Sequence, residues 1–451
     1  MIKMTIIIIV ILLLVALSAG IPVGAQDMAI SMANSIMRGG SLNDISDYIQ
    51  ATAMKGLRQL WLVTGNDDYY QYIRSGADDN LGYYNNIINA SVHDIDPVNG
   101  GSLLLFMYSQ TGDSKYRTAA NSTLSYLNSF PRSTDGGFFH KDWPRMQVDD
   151  LYMGTPFLAE YGQIFNGQEE YDDAVRQAVL MEQHTRDPGT GLYYHAWYEI
   201  PGTDDRGQYF PAGATDFFWG RGVGWIAMAL VDTLDFLPAG YSGRDTVIAI
   251  FQRLAEAISN VQDESSGVWW QVLDQGGRSG NFLESSCSCM FVYALAKGVR
   301  LGYIDPSYQN IASDGYNGIL NNFIRENSDG TITITDVCPG QAPGDSYQDY
   351  VRTPYTNGHS VGAFIMASIE IEGENPVVTP VPTATPCILG DVNDNGSVDI
   401  VDALLVAQYY VGLAPGNFNQ DCADVNCDGD ISIVDALIIA QYYVGLITQF
   451  C

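Results

Sequence analysis

The chain has 451 residues, enough for one large domain and a small one, and its 52 acidic against 21 basic side chains give a net charge of -31. That balance excludes nucleic acid and anionic membrane surfaces as main partners, because both need basic patches. An anionic sugar stays open, since one or two cations in a pocket suffice for it, and 12% aromatic residues suit carbohydrate binding.

Lys3, the apolar run over residues 6–17 and the small residues Val23, Gly24 and Ala25 read as a signal peptide spanning residues 1–25. The chain is therefore expected to be secreted and extracellular. No later stretch approaches the roughly 20 apolar residues that span a bilayer.

Residues 27–372 carry helical periodicity. Val223, Ile226, Ala227, Leu230, Val231, Leu234 and Leu237 form one stripe at the helical period. Similar stripes recur around Leu103, Leu158, Ile250 and Phe291, with turn signals such as Asp187-Pro188-Gly189 between them. Strand-like alternation is sparse, and residues 331–337 are its clearest run. About a dozen helices of this size fit a toroid of two concentric rings, although helix count alone does not separate that from a solenoid.

Residues 373–386 hold Pro376, Pro380, Pro382 and Pro386 among Val, Thr and Ala, a semi-extended linker. Beyond it, residues 391–413 recur at 424–446, almost residue for residue from Asp402 and Asp435 onward, within a small module over residues 387–451. Each repeat opens on hard oxygen donors at the spacing of a calcium loop. The first offers Asp391, Asn393, Asn395, Asp399 and Asp402, with the Ser397 carbonyl and a turn at Gly396. The second offers Asp424, Asn426, Asp428, Ser432 and Asp435, with the Asp430 carbonyl and Gly429. An EF-hand fits poorly, because Pro386 and Gly390 stand where a preceding helix would be. Four of the seven cysteines crowd here; Cys387 with Cys451, and Cys422 with Cys427, are the pairs their positions suggest. Cys287, Cys289 and Cys338 lack zinc spacing.

A duplicated loop-then-helix of this kind resembles the type I dockerin family. The resemblance implies two bound Ca2+ ions and a cohesin domain of a scaffold protein as partner. The positions that usually meet cohesin correspond to Ile400, Val401, Ile433 and Val434. The module has no Lys or Arg, and Gln408 and Tyr409 stand where bases are common, so an apolar partner surface is expected.

In the large region, chemistry-bearing residues cluster in turn-rich segments. Asp94 and Asp96 precede Asn99-Gly100-Gly101; His140 and Lys141 follow Phe138-Phe139; Asp149 and Asp150 precede Leu151-Tyr152-Met153; His195 lies between Tyr194 and Ala196. Trp219, Arg221 and Trp225 lie among glycines at a helix start. Paired carboxylates do acid–base work, and indole faces stack on sugar rings. Singly each has a bland reading. Asp149 could be a helix cap, a lone His a structural hydrogen-bonder, and Trp219 and Trp225 core filler.

Together, the Asp149–Leu158 segment, the Trp219–Trp225 segment, Glu284-Ser285-Ser286 and His359-Ser360-Val361-Gly362 resemble glycoside hydrolase family 105, relatives of family 88. The resemblance implies an all-α (α/α)6 barrel over residues 27–372. It implies an unsaturated rhamnogalacturonyl hydrolase acting on 4,5-unsaturated uronyl oligosaccharides left by a pectin lyase, with no cofactor for catalysis. In that mechanism an acid protonates C4 of a vinyl ether, water adds at C5, and the hemiketal opens.

Matched to the family motifs, Asp149 is the catalytic acid, with Asp150 the rival register, and Asp96 is the second functional carboxylate, with Asp94 its rival. His140, Lys141, His195, Trp219, Arg221 and Trp225 then surround the sugar. Many members carry Trp two residues before the catalytic Asp, where this chain has Gln147. Two other readings stay open: an unsaturated glucuronyl hydrolase on ulvan or glycosaminoglycan fragments, and an inactive docked sugar-binding protein.

Overall fold

A computed structural model describes residues 24–40, 43–203, 207–344, 346–373, 388–393, 395–413, 415, 418–428 and 430–450. Most of the expected leader, nearly all of the expected linker, and Gly429, Cys387 and Cys451 lie outside the described residues. The chain divides into two units, parting between Thr379 and Pro380.

In the first unit, twelve long helices alternate between two rings, among the described residues. The inner ring is α2 (Tyr48–Thr64), α4 (Val98–Thr111), α6 (Asp149–Phe165), α8 (Gly220–Phe236), α10 (Ser285–Arg300) and α13 (Ser360–Glu372). The outer ring is α1 (Ala25–Arg38), α3 (Asp67–Tyr84), α5 (Ser114–Asn128), α7 (Gln168–Thr185), α9 (Arg244–Ser259) and α11 (Tyr308–Asn322), while α12 (Tyr347–Tyr350) is a single turn. Each inner helix packs on the next, and α13 packs back onto α2. The ring is closed, so the fold is an (α/α)6 barrel and not an open solenoid.

Sequence explains which helix goes where. Inner α8 is buried from Gly220 to Leu234 and needs no polar face. Outer α9 buries only a stripe, Val247, Ile250, Phe251, Leu254, Ala255, Ala257 and Ile258. Ring closure depends on close approach of α2 and α13. A Cβ at Gly362 would collide with the Thr52 carbonyl, and one at Gly56 would press on the Gly362 carbonyl. Because backbone cannot move aside as a side chain does, Gly362→Ala should cost about 1–3 kcal/mol and lower the melting temperature. An unchanged melt would show that α2 and α13 are not locked by this contact.

Helix α1 begins at Ala25, two residues ahead of the expected domain start at 27. The cause is Glu372, at the end of α13, whose Oε2 accepts from the Ala25 and Gln26 amides. The strand expected over 331–337 is shorter than its pattern: β6 (Ile324–Glu326) pairs with β7 (Ile332–Ile334). A three-stranded sheet, β1 (Arg145–Gln147), β2 (Ala196–Tyr198) and β5 (Gly213–Ala214), and the pair β3 (Gly202–Thr203) and β4 (Tyr209–Phe210) had no counterpart in the sequence reading. Among the described residues, no helix is long and apolar enough to cross a membrane.

The second unit packs α14 (Ile400–Tyr410) against α15 (Ile433–Tyr443) over Val392, Ala403, Val406, Val425, Ala436 and Ile439. Each helix starts with a reciprocal capping box, Asp399 with Asp402 and Ser432 with Asp435.

Candidate active site and docking loops

With inner and outer helices alternating in direction, the six inner helices run parallel and present their N-termini to one mouth. The chemistry-bearing residues cluster at those termini. Asp149 opens α6, Trp219 and Arg221 open α8, Glu284 caps α10, His359 precedes α13, Tyr48 opens α2, and Asp96 lies just before α4. Residues far apart in sequence thus meet through a rule of topology.

The adjacent carboxylates Asp149 and Asp150 differ sharply. Asp150 is buried with both oxygens engaged: Oδ1 lies 2.7 Å from His140 Nδ1, and Oδ2 accepts from the Gln147 amide at 2.9 Å. Asp149 is buried too, yet only its Oδ2 is engaged among the described residues, by Gln147 Nε2 at 3.0 Å, with His195 Nε2 at 3.9 Å. Burial pushes the Asp149 carboxyl up from its ordinary pKa; the Gln147 hydrogen bond works against this, and the Asp150 charge adds to it. Asp96 is pushed up to about 7, by burial and by the charges of Asp94, Asp149 and Asp150 against the pull of His140. Its side chain makes no hydrogen bond among the described residues, whereas the Asp94 carboxylate pairs with Lys141 at 2.9 Å. The His140 pKa is raised: burial opposes the charged form, but the Asp150 carboxylate outweighs it.

His195 is fully buried beneath Trp219, ring centroids 4.4 Å apart, and its Nδ1 meets the Tyr350 hydroxyl at 3.0 Å. Trp225 is enclosed between Tyr152, stacked at 4.9 Å, and the edge of Tyr48 at 6.3 Å, so it belongs to the floor of the mouth. Arg221 is buried, with Nη1 and Nη2 donating to the Cys338 and Pro339 carbonyls and its guanidinium over Trp219. Glu284 grips the same loop from the other side by accepting from the Cys338 amide at 2.8 Å. Cys287, Cys289 and Cys338 are free thiols in the interior.

Two residues at the mouth went unread in the sequence. The hydroxyls of Tyr48 and Tyr355 bracket the His359 ring, on Nε2 and Nδ1, and burial followed by the nearby Arg221 charge keeps that ring neutral. Tyr48 lies within electrostatic range of Arg221, Asp96 and Asp149 together. A lone Tyr at a helix start carries no pattern that marks it.

In the docking loops, Asp402 is fully buried; its Oδ1 accepts from Val392 and Asn393 and its Oδ2 from Asp399. Asp435 repeats this on Val425, Asn426 and Ser432. Asn393, Asn395, Asn426 and Asp428 close Asx turns, while Asp391 and Asp424 each accept from the amide four residues on. No three acidic, His or Cys side chains gather as a metal cage among the described residues. The set is mixed carboxylate, amide and carbonyl oxygen, which suits a hard cation. Cys422 and Cys427 are both disulfide-bonded.

A closed (α/α)6 barrel with two buried carboxyls of raised pKa in its mouth, followed by a duplicated loop–helix module, defines a modular carbohydrate-active protein. Residues 27–374 match Glycosyl Hydrolase Family 88, and the chain belongs to that family. Residues 389–443 match the dockerin type I domain, a class that typically binds calcium. Among solved structures, a family 105 glycoside hydrolase of C. acetobutylicum is 33% identical at a TM-score of 0.69, covering 77% of this chain and 99% of that one. The unsaturated rhamnogalacturonyl hydrolase YesR of Bacillus subtilis is 27% identical over 263 residues, 56% of this chain and 71% of that protein. A 24.9 kDa protein in the picA locus of Rhizobium radiobacter is 40% identical over 152 residues, 34% of this chain, and the match spans 63% of that protein's length.

Proposed function

We propose that the chain is a secreted unsaturated uronyl hydrolase that releases the 4,5-unsaturated uronic acid from lyase-generated pectin oligosaccharides. The observation that carries this reading is the Asp149–Asp96 pair, two carboxyls whose surroundings favour the protonated form, at the mouth of a family 88 barrel.

The chemistry follows from what these groups can hold. The unsaturated ring is a vinyl ether, and its C4 is a proton acceptor. Asp149, buried and protonated, donates to C4, leaving positive charge shared between C5 and the ring oxygen. Water adds at C5 and returns a proton to the Asp149 carboxylate. The C5 hemiketal then opens and the shortened sugar leaves, with one water consumed. Asp96, opposite, shares its titration with Asp149, and its charge helps Asp149 keep the proton. Charged His140, with Lys141, faces the uronate and its hydroxyls. His195 and Trp219 form the inner wall, Trp225 lies beneath it, and Arg221 fixes the Cys338–Pro339 loop against it. Asp150 positions His140 and is not the acid.

The test is a panel of lyase digests from pectin, ulvan and heparin, followed by loss of the conjugated-uronate absorbance. Fastest loss on the pectin digest is expected. Fastest loss on ulvan or heparin would reassign the polymer, and none on any digest would leave a docked sugar-binding protein.

The second unit docks the enzyme. Exposed Ile400 (50%), Val401, Ile433 and Val434 (48%) form paired apolar patches at the starts of α14 and α15, suited to a cohesin. Calcium would be held by Asp391, Asn393, Asn395, Asp399 and Asp402, and by Asp424, Asn426, Asp428, Ser432 and Asp435, with the Ser397 and Asp430 carbonyls. The module, residues 387–451 after the linker at 373–386, carries nine Asp and no Lys or Arg. Without the cation those charges repel, so folding and binding are linked. Chelation should loosen residues 391–446 and abolish scaffold binding while hydrolysis continues. Scaffold binding that persists in chelator would remove the docking role.

A further inference from the structure

The loop and strand that lead into Asp149 carry three cations, His140, Lys141 and Arg145. Two have anionic partners within the chain, Asp150 for His140 and Asp94 for Lys141. Arg145 has none. Its side chain is only 7% exposed, no carboxylate lies within ion-pair distance among the described residues, and its Nε is buried without a hydrogen bond. Among the described residues its one side-chain hydrogen bond is long, Nη1 to the Tyr198 hydroxyl at 3.5 Å, and its guanidinium lies 5.9 Å from the Tyr198 ring centroid. A buried guanidinium is costly unless an anion meets it.

The register of β1 and β2 says where that anion would sit. Arg145 pairs with Tyr198 and Gln147 with Ala196, so Arg145 and Gln147 share a face of the strand while Met146 turns into the core. Gln147 reaches Asp149 directly. Arg145 is two strand residues back from Gln147, about 7 Å along β1. Beside it Tyr198 stacks on Phe210 at 4.5 Å, nearly coplanar, in a small apolar cluster with Ala196 that is separate from the barrel core. An unmatched cation and a buried aromatic pair, Tyr198 at 5% and Phe210 at 3% exposure, thus lie at the strand pair that leads into the acid.

We propose that Arg145, backed by the Tyr198–Phe210 pair, forms the subsite for the leaving-group sugar, and that this sugar carries an anion, a carboxylate or a sulfate ester. The proposal rests on the hydrolase reading above and adds the charge of the sugar next to the scissile bond. With Gln147 beside Asp149, discrimination passes from an aromatic wall to a charge. The neighbouring cations His140 and Lys141 are held by their own partners, which leaves Arg145 as the residue that reads the leaving group.

The experiment compares three unsaturated disaccharides with the same uronyl ring and a neutral, a uronate or a sulfated leaving sugar, using the wild-type protein, Arg145→Gln and Arg145→Lys. Wild type should show the lower KM for one or both anionic leaving sugars, and which one distinguishes carboxylate from sulfate. Arg145→Gln should raise that KM about 10- to 100-fold, the worth of a charge-assisted hydrogen bond, and leave the neutral disaccharide unchanged. Arg145→Lys should recover part of the difference. An equal loss on all three substrates would place Arg145 on the reacting uronate, and no loss would make it structural; either overturns the proposal. Should Arg145→Gln not fold, the wild-type KM order decides, because a neutral sugar bound as well as the anionic ones is sufficient refutation. If wild type turns over none of the three, the hydrolase reading itself fails.

Discussion

Asp149→Asn is expected to lower turnover by about 10²–10⁴-fold while the melting temperature stays near that of the wild type. The amide keeps the shape of the side chain and can still meet Gln147, which donates to Oδ2. What it loses is the acidic proton that C4 must receive. Geometry makes the prediction specific to this residue, because the neighbouring Asp150 has both oxygens tied, to His140 and to the Gln147 amide. Asp150→Asn should instead weaken His140 and the start of α6, with a fall in stability accompanying any loss of rate. Kinetics and melts of the two variants side by side check the assignment. Wild-type turnover by Asp149→Asn would move the acid to Asp96.

Asp96→Asn is expected to lower activity about 100-fold at neutral pH and to move the pH profile. Asp96 is raised to about 7, by burial first and by the Asp149 charge among others. A carboxyl with a raised pKa holds its proton below that value and loses it above. The acidic form is therefore present on the acid side, and kcat/KM should fall as pH rises through about 7. Since the two charges repel one another, the profile belongs to the pair. Removing Asp96 as a charge makes the Asp149 proton easier to lose, so the falling limb should shift to lower pH in the variant. A limb that stays in place would mean that Asp96 does not sense Asp149.

The inner and outer helices were legible in the sequence because helical stripes repeat over the whole region, and burial on two sides or one follows from composition. Closure was not, because it depends on contacts such as Gly362 with Thr52, between the two ends of the barrel. The small sheets escaped for a different reason. Strands of two or three residues carry no period of two, so Arg145, Gln147 and Tyr198 had no marked face until β1 and β2 were paired.

Among the site residues, sequence brought Asp149, His195 and Arg221 to notice through motif, but motif does not say where an atom points. The motif places Arg221 around the sugar, and the structure adds that its Nη1 and Nη2 donate to the Cys338 and Pro339 carbonyls. Trp225 was read as a sugar wall, yet it lies sealed beneath Tyr48 and Tyr152. The docking repeat was the clearest case. Loop spacing, turn glycines and duplication are all local properties, and local properties are what a sequence displays directly.

The central claim is that the barrel acts on the unsaturated ring and not on glycosidic bonds in general. One measurement addresses it most directly: incubation of the purified protein with a lyase-generated pectin oligosaccharide and, in parallel, with its saturated counterpart, following ultraviolet absorbance and product length. The account predicts that absorbance falls and the unsaturated oligosaccharide shortens by one residue, while the saturated one is untouched. Cleavage of the saturated chain at a comparable rate would contradict it, because that bond can break without a C4 to protonate.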